Sequence, residues 1–116
     1  MSFTFEIKHF SNCIVISLKG KIITDSDIDD LLLSVDKIIS NSNSKLVFNL
    51  LELTHINSSG INLFMKILTK TRVNNGDLIF YGVNGNVGNL FKIAKLNGIY
   101  TIFDSLEEAL NHFKNK

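Results

Sequence analysis

The spacing of the apolar residues changes repeatedly along the chain between the period of a strand and that of a helix. Residues 3–9 and 13–18 alternate apolar and polar side chains on either side of a short polar break, which predicts the two strands of a hairpin. From residue 26 the apolar residues recur every three to four positions, as on one side of a helix. The predicted order is strand, strand, helix, strand, helix, strand, helix, strand, helix. Alternation of this kind predicts an α/β domain with a mostly parallel central sheet, an N-terminal hairpin strand and about four helices.

The predicted elements have recognisable ends. Ser26, with Asp29 three residues later, suits the start of the first helix. A nearly continuous apolar run over residues 45–50 predicts the central strand, and a second helix is expected over residues 58–73. The third predicted helix ends at Gly98, a residue suited to a left-handed cap. The apolar residues expected to form the core stripe of the second helix are Ile61, Phe64, Met65 and Leu68.

Composition narrows the functional classes. The 116 residues predict one domain, spanning residues 1–116, that buries a core without disulfides or metal. Twelve basic and eleven acidic side chains leave a net charge of +1, which argues against direct nucleic acid binding and against a polybasic membrane anchor. The first residues lack a signal-peptide pattern, and no later segment reaches about 18 uninterrupted apolar residues. We therefore expect no membrane insertion, a cytoplasmic location, and partners that are proteins or small molecules.

The residue types that usually carry catalysis or metal binding lack the spacing that these functions need. His9, His55 and His112 are far apart, and no two of them form a metal-ligand pair such as His-x-x-x-His. The aspartates between residues 25 and 30 lack the glycine and distal glutamate of an EF-hand loop. No serine lies in a G-x-S-x-G segment with an acid and a base placed to activate it. We predict no metal, no cofactor and no enzymatic activity.

A glycine-rich turn follows the fourth predicted strand. Its segment, residues 82–88, reads G-x-x-G-x-x-G, whereas a dinucleotide-binding turn needs G-x-G-x-x-G so that the backbone can approach the pyrophosphate. A strand-to-helix turn eased by Gly82, Gly85 and Gly88 is the preferred interpretation. A small nucleotide-binding or ligand-binding α/β protein remains an alternative.

The segment over residues 54–61, THINSSGI, joins the central strand to the second helix. It places two hydroxyls, those of Ser58 and Ser59, at a helix N-terminus on the side where parallel-sheet proteins usually carry their sites. The alternative is that Ser58 or Ser59 merely caps the helix.

With this order of elements, the chain resembles a stand-alone STAS domain of the anti-sigma factor antagonist family, from about residue 5 to residue 113. No single segment is specific, but their order and spacing are. The segments that carry the resemblance are LKG (18–20), LVFNL (46–50), NSSGI (57–61), GDL (76–78) and SLEEAL (105–110).

The resemblance implies a phosphorylation switch. The family's usual motif is D-S-S-G, and its first serine is phosphorylated by a partner that is both anti-sigma factor and serine kinase. By resemblance Ser58 is the phosphoacceptor. Unmodified, such a protein captures the anti-sigma factor and frees a sigma factor; phosphorylated, it releases the partner until a serine phosphatase restores it.

Two departures from the family pattern define an alternative. Asn57 replaces the motif's leading aspartate, and residues 20–23 read GKII where family members often carry G-x-L-D. Asparagine keeps hydrogen-bonding capacity but loses the charge. The alternative is therefore an adaptor or scaffold of the same fold that phosphorylation does not control.

The partner surface is expected to include the start of the second helix. Leu63 and Ile67 project away from the predicted core stripe, on the side that also carries Ser59, and this side is a candidate docking face. A neighbouring helix that covers Leu63 and Ile67 is the alternative. The predicted partner-binding residues are Asn57, Ser58, Ser59, Gly60, Leu63 and Ile67.

Overall fold

Five strands and four α-helices make up residues 3–41 and 43–114, the part of the chain that the computed structural model describes. Within those residues no helix combines the length and the apolar character that crossing a membrane requires. The strands are β1 (Thr4–His9), β2 (Ile14–Ile22), β3 (Lys45–Ile56), β4 (Asp77–Tyr81) and β5 (Thr101–Phe103), and the helices are α1 (Asp25–Ser40), α2 (Ser58–Val73), α3 (Gly85–Ile93) and α4 (Leu106–Lys114).

The strands form one sheet in the order β1-β2-β3-β4-β5. Only β1 is antiparallel to its neighbour; β2 through β5 are parallel, which confirms the predicted α/β fold with an N-terminal hairpin. The central strand, β3, is longer than the apolar run that predicted it. Beyond Asn49 it pairs with β2 alone, and its exposed residues there include Glu52 and His55, so polar side chains are tolerated.

Alternating side chains of the sheet enter two separate apolar clusters, because successive residues of a strand point to opposite faces. On one face the sheet packs against α1, α2 and α3, through residues that include Phe48 and Phe80. On the other face a smaller cluster joins Val47 and Ile79 to Phe113 of α4. The domain is therefore three layers, with three helices on one side of the sheet and one on the other.

Two predicted helix ends are wrong. Helix α1 is capped by Thr24, one residue before Asp25, and not by Ser26. Helix α3 ends at Ile93, well before Gly98, and a short 3-10 turn over Leu96–Gly98 follows it. The left-handed conformation expected at Gly98 belongs to Lys95, whose φ is 59°.

The predicted inward face of α2 is also wrong in part. Phe64 and Leu68 are buried as expected, but Met65 is 36% exposed, whereas Leu63 and Ile67 are 2% and 0% exposed. The reason is that α1 packs beside α2: Leu31, Val35 and Ile38 of α1 share the apolar cluster with Leu63 and Ile67. The predicted docking face through Leu63 and Ile67 is therefore covered by a neighbouring helix.

Candidate functional site

Asn57 directly follows the last residue of β3 and caps α2 in an extended conformation, with φ −101° and ψ −179°. Its side-chain oxygen accepts a hydrogen bond from the backbone N–H of Gly60 at 2.9 Å. Its side-chain nitrogen donates to the carbonyl oxygen of Ile23 at 3.1 Å. An aspartate could accept the first bond but has no N–H for the second. The amide of Asn57 therefore ties the start of α2 to the loop between β2 and α1.

Ser58 and Ser59 are the first two residues of α2, and both are exposed. The alternative that one of them caps the helix is wrong, since Asn57 makes the capping bond. Their backbone N–H groups lie in the first turn, where no carbonyl of the helix is available to accept from them. Unpaired N–H groups and the helix dipole make this end of α2 favourable to negative charge.

Gly60 brings the start of α2 close to the sheet. A Cβ atom at this position would lie 2.5 Å from Cγ1 of Ile56 and 3.2 Å from Cγ2 of Ile22, so a larger residue would push these side chains aside. Gly60 is itself buried. Of the six predicted partner-binding residues, the structure places Asn57, Ser58, Ser59 and Gly60 together at this junction and puts Leu63 and Ile67 in the core.

Ile23 is a neighbour of this junction that the sequence analysis did not select. Its side chain is 56% exposed, although it is apolar. The bond from Asn57 to its carbonyl oxygen holds it beside the N-terminus of α2. An exposed isoleucine resembles a core residue in sequence, so only the three-dimensional position shows that Ile23 lies on the surface.

His55 connects the same junction to α3. Its Nδ1 lies 3.0 Å from the hydroxyl oxygen of Thr54, and its Nε2 lies 3.3 Å from the side-chain nitrogen of Asn86. The hydroxyl of Thr54 donates to the carbonyl oxygen of Gly20 at 3.1 Å, so its oxygen accepts from Nδ1–H. Nε2 then accepts from Asn86. These contacts link β2, β3 and α3.

Among the aspartates at the start of α1, Asp27 forms a capping box with Thr24. Thr24 accepts a bond from the N–H of Asp27 at 3.1 Å, and the carboxylate of Asp27 accepts from the N–H of Thr24 at 3.2 Å. Desolvation opposes the charged form, but the bonds from Thr24 and Ile23 outweigh it and hold the pKa of Asp27 below its ordinary value. In the described part of the chain, no three His, Cys, Asp or Glu residues cluster as metal ligands.

The glycine turn before α3 closes on itself. Gly82 and Gly85 have φ values of 78° and 56°, which favour glycine. The side chain of Asn84 donates to the carbonyl oxygen of Gly82 at 2.6 Å and makes no capping bond to α3. A shallow cavity of about 270 Å³ beside the turn is lined by residues that include Asn89 and Lys92. These features are those of a tight strand-to-helix turn.

The family model for the STAS domain matches residues 4–109. An anti-sigma factor antagonist from Mycobacterium paratuberculosis superposes with a TM-score of 0.84 at 17% identity, over 97% of this chain and 95% of that one. A putative anti-sigma factor antagonist from Thermotoga maritima gives 0.82 at 20% identity, over 95% and 94%. The phosphorylated form of the Bacillus cell fate determinant SpoIIAA gives 0.75 at 19% identity, over 94% and 98%. At these identities the structural likeness is one of fold.

Proposed function

Because the chain belongs to the STAS domain family, we propose that it is an anti-sigma factor antagonist switched by phosphorylation of Ser58. Unmodified, it binds an anti-sigma factor that has serine kinase activity; phosphorylated, it releases that partner, and a serine phosphatase reverses the change. It acts by binding and catalyses no reaction itself. The observation that carries the proposal is the exposed Ser58 side chain at the first position of α2.

The junction tolerates a phosphate because Ser58 has no structural task there. The capping bond comes from Asn57, so modification of the Ser58 hydroxyl leaves that bond in place. The N–H groups of the first turn stabilise the added oxygens. A phosphate adds about −1.5 to −2 charges. A partner surface that packs on neutral Ser58 would then face an unpaired charge, so binding is lost while the domain stays folded.

The partner surface extends along the exposed side of α2 and not along the side predicted from the sequence. Asn57, Ser58, Ser59 and the backbone of Gly60 form its start, and Leu63 and Ile67 support it from the core. Two exposed apolar side chains, Ile23 and Met65, add contact area. The exposed residues of α2 that continue this surface are Asn62, Met65, Lys66 and Thr69.

One observation favours the alternative of an adaptor that phosphorylation does not control. Asn57 uses both ends of its amide, and the bond to the Ile23 carbonyl is one that the aspartate of the family motif cannot make. The junction is thus built around a neutral residue. If the kinase needs a carboxylate beside the serine, Ser58 stays unmodified and binding is constitutive.

The test is to incubate the protein with the candidate anti-sigma kinases of its genome and ATP, and to map phosphate by mass spectrometry. We expect phosphate on Ser58, no modification of Ser58→Ala, and binding by Ser58→Glu weakened at least about tenfold, as loss of a central interface contact would cause. Ser11→Glu is the charge control, because Ser11 is exposed in the turn between β1 and β2 and lies outside the proposed partner surface, so its binding should stay unchanged. Absence of both a complex and phosphate would contradict the proposal.

The same binding assay distinguishes the phosphorylation switch from the adaptor. Equal binding by Ser58→Ala and Ser58→Glu would indicate the adaptor. Asn57→Asp restores the family motif, and we expect it to be phosphorylated faster than the natural protein if the switch is correct.

A further inference from the structure

Strand β1 forms an edge of the sheet, and in the described part of the chain β2 is its only strand partner. Of its six residues only Phe5 is half-buried, and the other five are exposed. An exposed edge of this length offers unpaired N–H and C=O groups to another strand. The question is which strand its side chains accept.

The hairpin shows which backbone groups point outward. The N–H of Phe10 donates to the carbonyl oxygen of Cys13 at 2.9 Å. These two residues, which lie opposite each other, therefore form a hydrogen-bonded pair, called a bonded pair below. Opposed residues of an antiparallel pair alternate between bonded and non-bonded pairs. In the observed register the bonded pairs are therefore Lys8–Val15, Glu6–Ser17 and Thr4–Lys19. The N–H and C=O groups of Phe5, Ile7 and His9 point away from β2.

We propose that β1 pairs with β1 of a second copy of this chain, antiparallel and with Ile7 opposite Ile7 on the two-fold axis. In that register Phe5 and His9 of each copy face His9 and Phe5 of the other, so all the outward groups of these three residues are bonded. Each Glu6 stands opposite a Lys8 of the other copy. These are non-bonded pairs, in which side chains lie closest across the strands.

Charge selects this register over its neighbours. The two strands could also shift by two residues along each other and still pair the outward N–H and C=O groups. Such a shift moves the two-fold axis to residue 6 or to residue 8 of β1. The first places Glu6 against Glu6, and the second places Lys8 against Lys8, both of which are unfavourable. Lys8 otherwise lies 5.6 Å from the ring centroid of Phe10, a weak contact at an exposed site. The edge is thus complementary to itself in one register.

The contact also covers apolar surface. The Ile7 side chain is 39% exposed, and the two copies of it meet at the axis. The interface is confined to one strand from each copy, so it belongs to the class of small and reversible contacts. None of its residues belongs to the α2 surface, and the pairing does not depend on the proposed function.

Sedimentation velocity tests the pairing with charge variants. We expect the natural protein to form dimers reversibly between about 10 µM and 1 mM, and to dissociate as salt screens the two ion pairs. Either single variant, Glu6→Lys or Lys8→Glu, places two side chains of the same charge opposite each other at both pairs of the dimer. Each should therefore weaken dimerisation about tenfold or more. A heterodimer of the two single variants again has opposite charges at both pairs. A homodimer of the double variant, which carries both substitutions, has them too. These are the matched controls.

Amide hydrogen exchange locates the contact. Protection at Phe5, Ile7 and His9 should rise with protein concentration, whereas protection at Glu6 and Lys8, whose amides already bond to β2, should stay constant. A natural protein that remains monomeric up to about 1 mM would overturn the proposal. Single variants that dimerise as well as the natural protein, or protection that rises elsewhere, would overturn it too.

Discussion

Asn57 shows how much one side chain determines at the β3–α2 junction. The sequence predicts a helix start near residue 58 but does not distinguish a cap at Asn57 from one at Ser58 or Ser59, since asparagine and serine both cap helices well. The structure distinguishes them because the Asn57 side chain accepts from the N–H of Gly60 and also donates to the Ile23 carbonyl in the preceding loop. The proposal that Ser58 is modified depends on that result, because a capping serine would have a structural task.

Tyr100 carries a buried hydroxyl without a hydrogen-bond partner in the described part of the chain. Its side chain is 4% exposed, and its ring lies 4.7 Å from that of Phe80 between centroids. We expect Tyr100→Phe to raise the free energy of unfolding by about 1 to 2 kcal/mol, because it removes an unsatisfied polar group and keeps the ring. Urea denaturation at neutral pH measures this, and a loss of stability would show that the hydroxyl is bonded.

The same residue predicts a pH dependence. Burial opposes ionisation and raises the pKa of Tyr100 from its ordinary value of 10.0 to about 12, with the charge of Arg72 acting weakly against it. The raised pKa belongs to the folded state, so the unfolded chain ionises first. The contribution of neutral Tyr100 to the free energy of unfolding is therefore fully present below pH 10, and it is lost as the pH rises toward about 12. The natural protein should therefore lose more stability than Tyr100→Phe over this interval.

At the scale of elements, helix termini were the features least determined by local sequence. Several polar residues precede α1, and Ser26 with Asp29 has the same spacing as the actual capping box of Thr24 with Asp27. The difference is that β2 continues to Ile22, so the chain turns at Ile23 and reaches helical geometry at Asp25. The length of β2 is in turn set by its pairing with β3.

The two candidate caps of α1 can be compared directly. Thr24→Ala removes the bond to the Asp27 N–H and should lower the free energy of unfolding by about 1 kcal/mol. Ser26→Ala is the matched control, and we expect it to change stability by less than about 0.5 kcal/mol. Thermal or urea unfolding of both variants checks this. A larger loss in Ser26→Ala would mean that α1 starts where the sequence pattern placed it.

Acid should weaken the same cap. The pKa of Asp27 is lowered in the folded state, so its stabilising effect is complete above its ordinary value of 3.8 and is lost as pH falls through the folded value. An asparagine at this position does not titrate, so the difference in stability between the natural protein and Asp27→Asn should shrink over that range, as urea denaturation at several pH values would measure.

At the scale of the whole molecule, the rotation of α2 about its axis depends on what packs against it. The helix contacts the sheet on one side and α1 on another, so its buried face is broad and includes Leu63 and Ile67. The ion pair between Lys70 and Asp36, at 3.2 Å, lies at the same contact with α1.

A pair of alanine variants tests this packing. Ile67→Ala leaves a cavity between α1, α2 and the sheet and should cost about 2 to 5 kcal/mol of unfolding free energy. Met65→Ala, on the exposed side, should cost less than about 1 kcal/mol. Urea denaturation of both variants measures the difference. Similar losses in the two variants would place Met65 in the core and contradict the observed setting of α2.

The sequence by itself determined the order of elements, the parallel sheet with its opening hairpin, and the short segment that carries the candidate site. These follow from periodicity and from turn residues, which act over a few positions of the chain. The tertiary structure alone decided which face of α2 is outward, which residues cap α1 and α2, and that the carbonyl of Ile23 bonds to Asn57. Each of these depends on contacts between residues distant in sequence, such as Asn57 with Ile23 or α1 with α2, and local spacing does not specify such contacts.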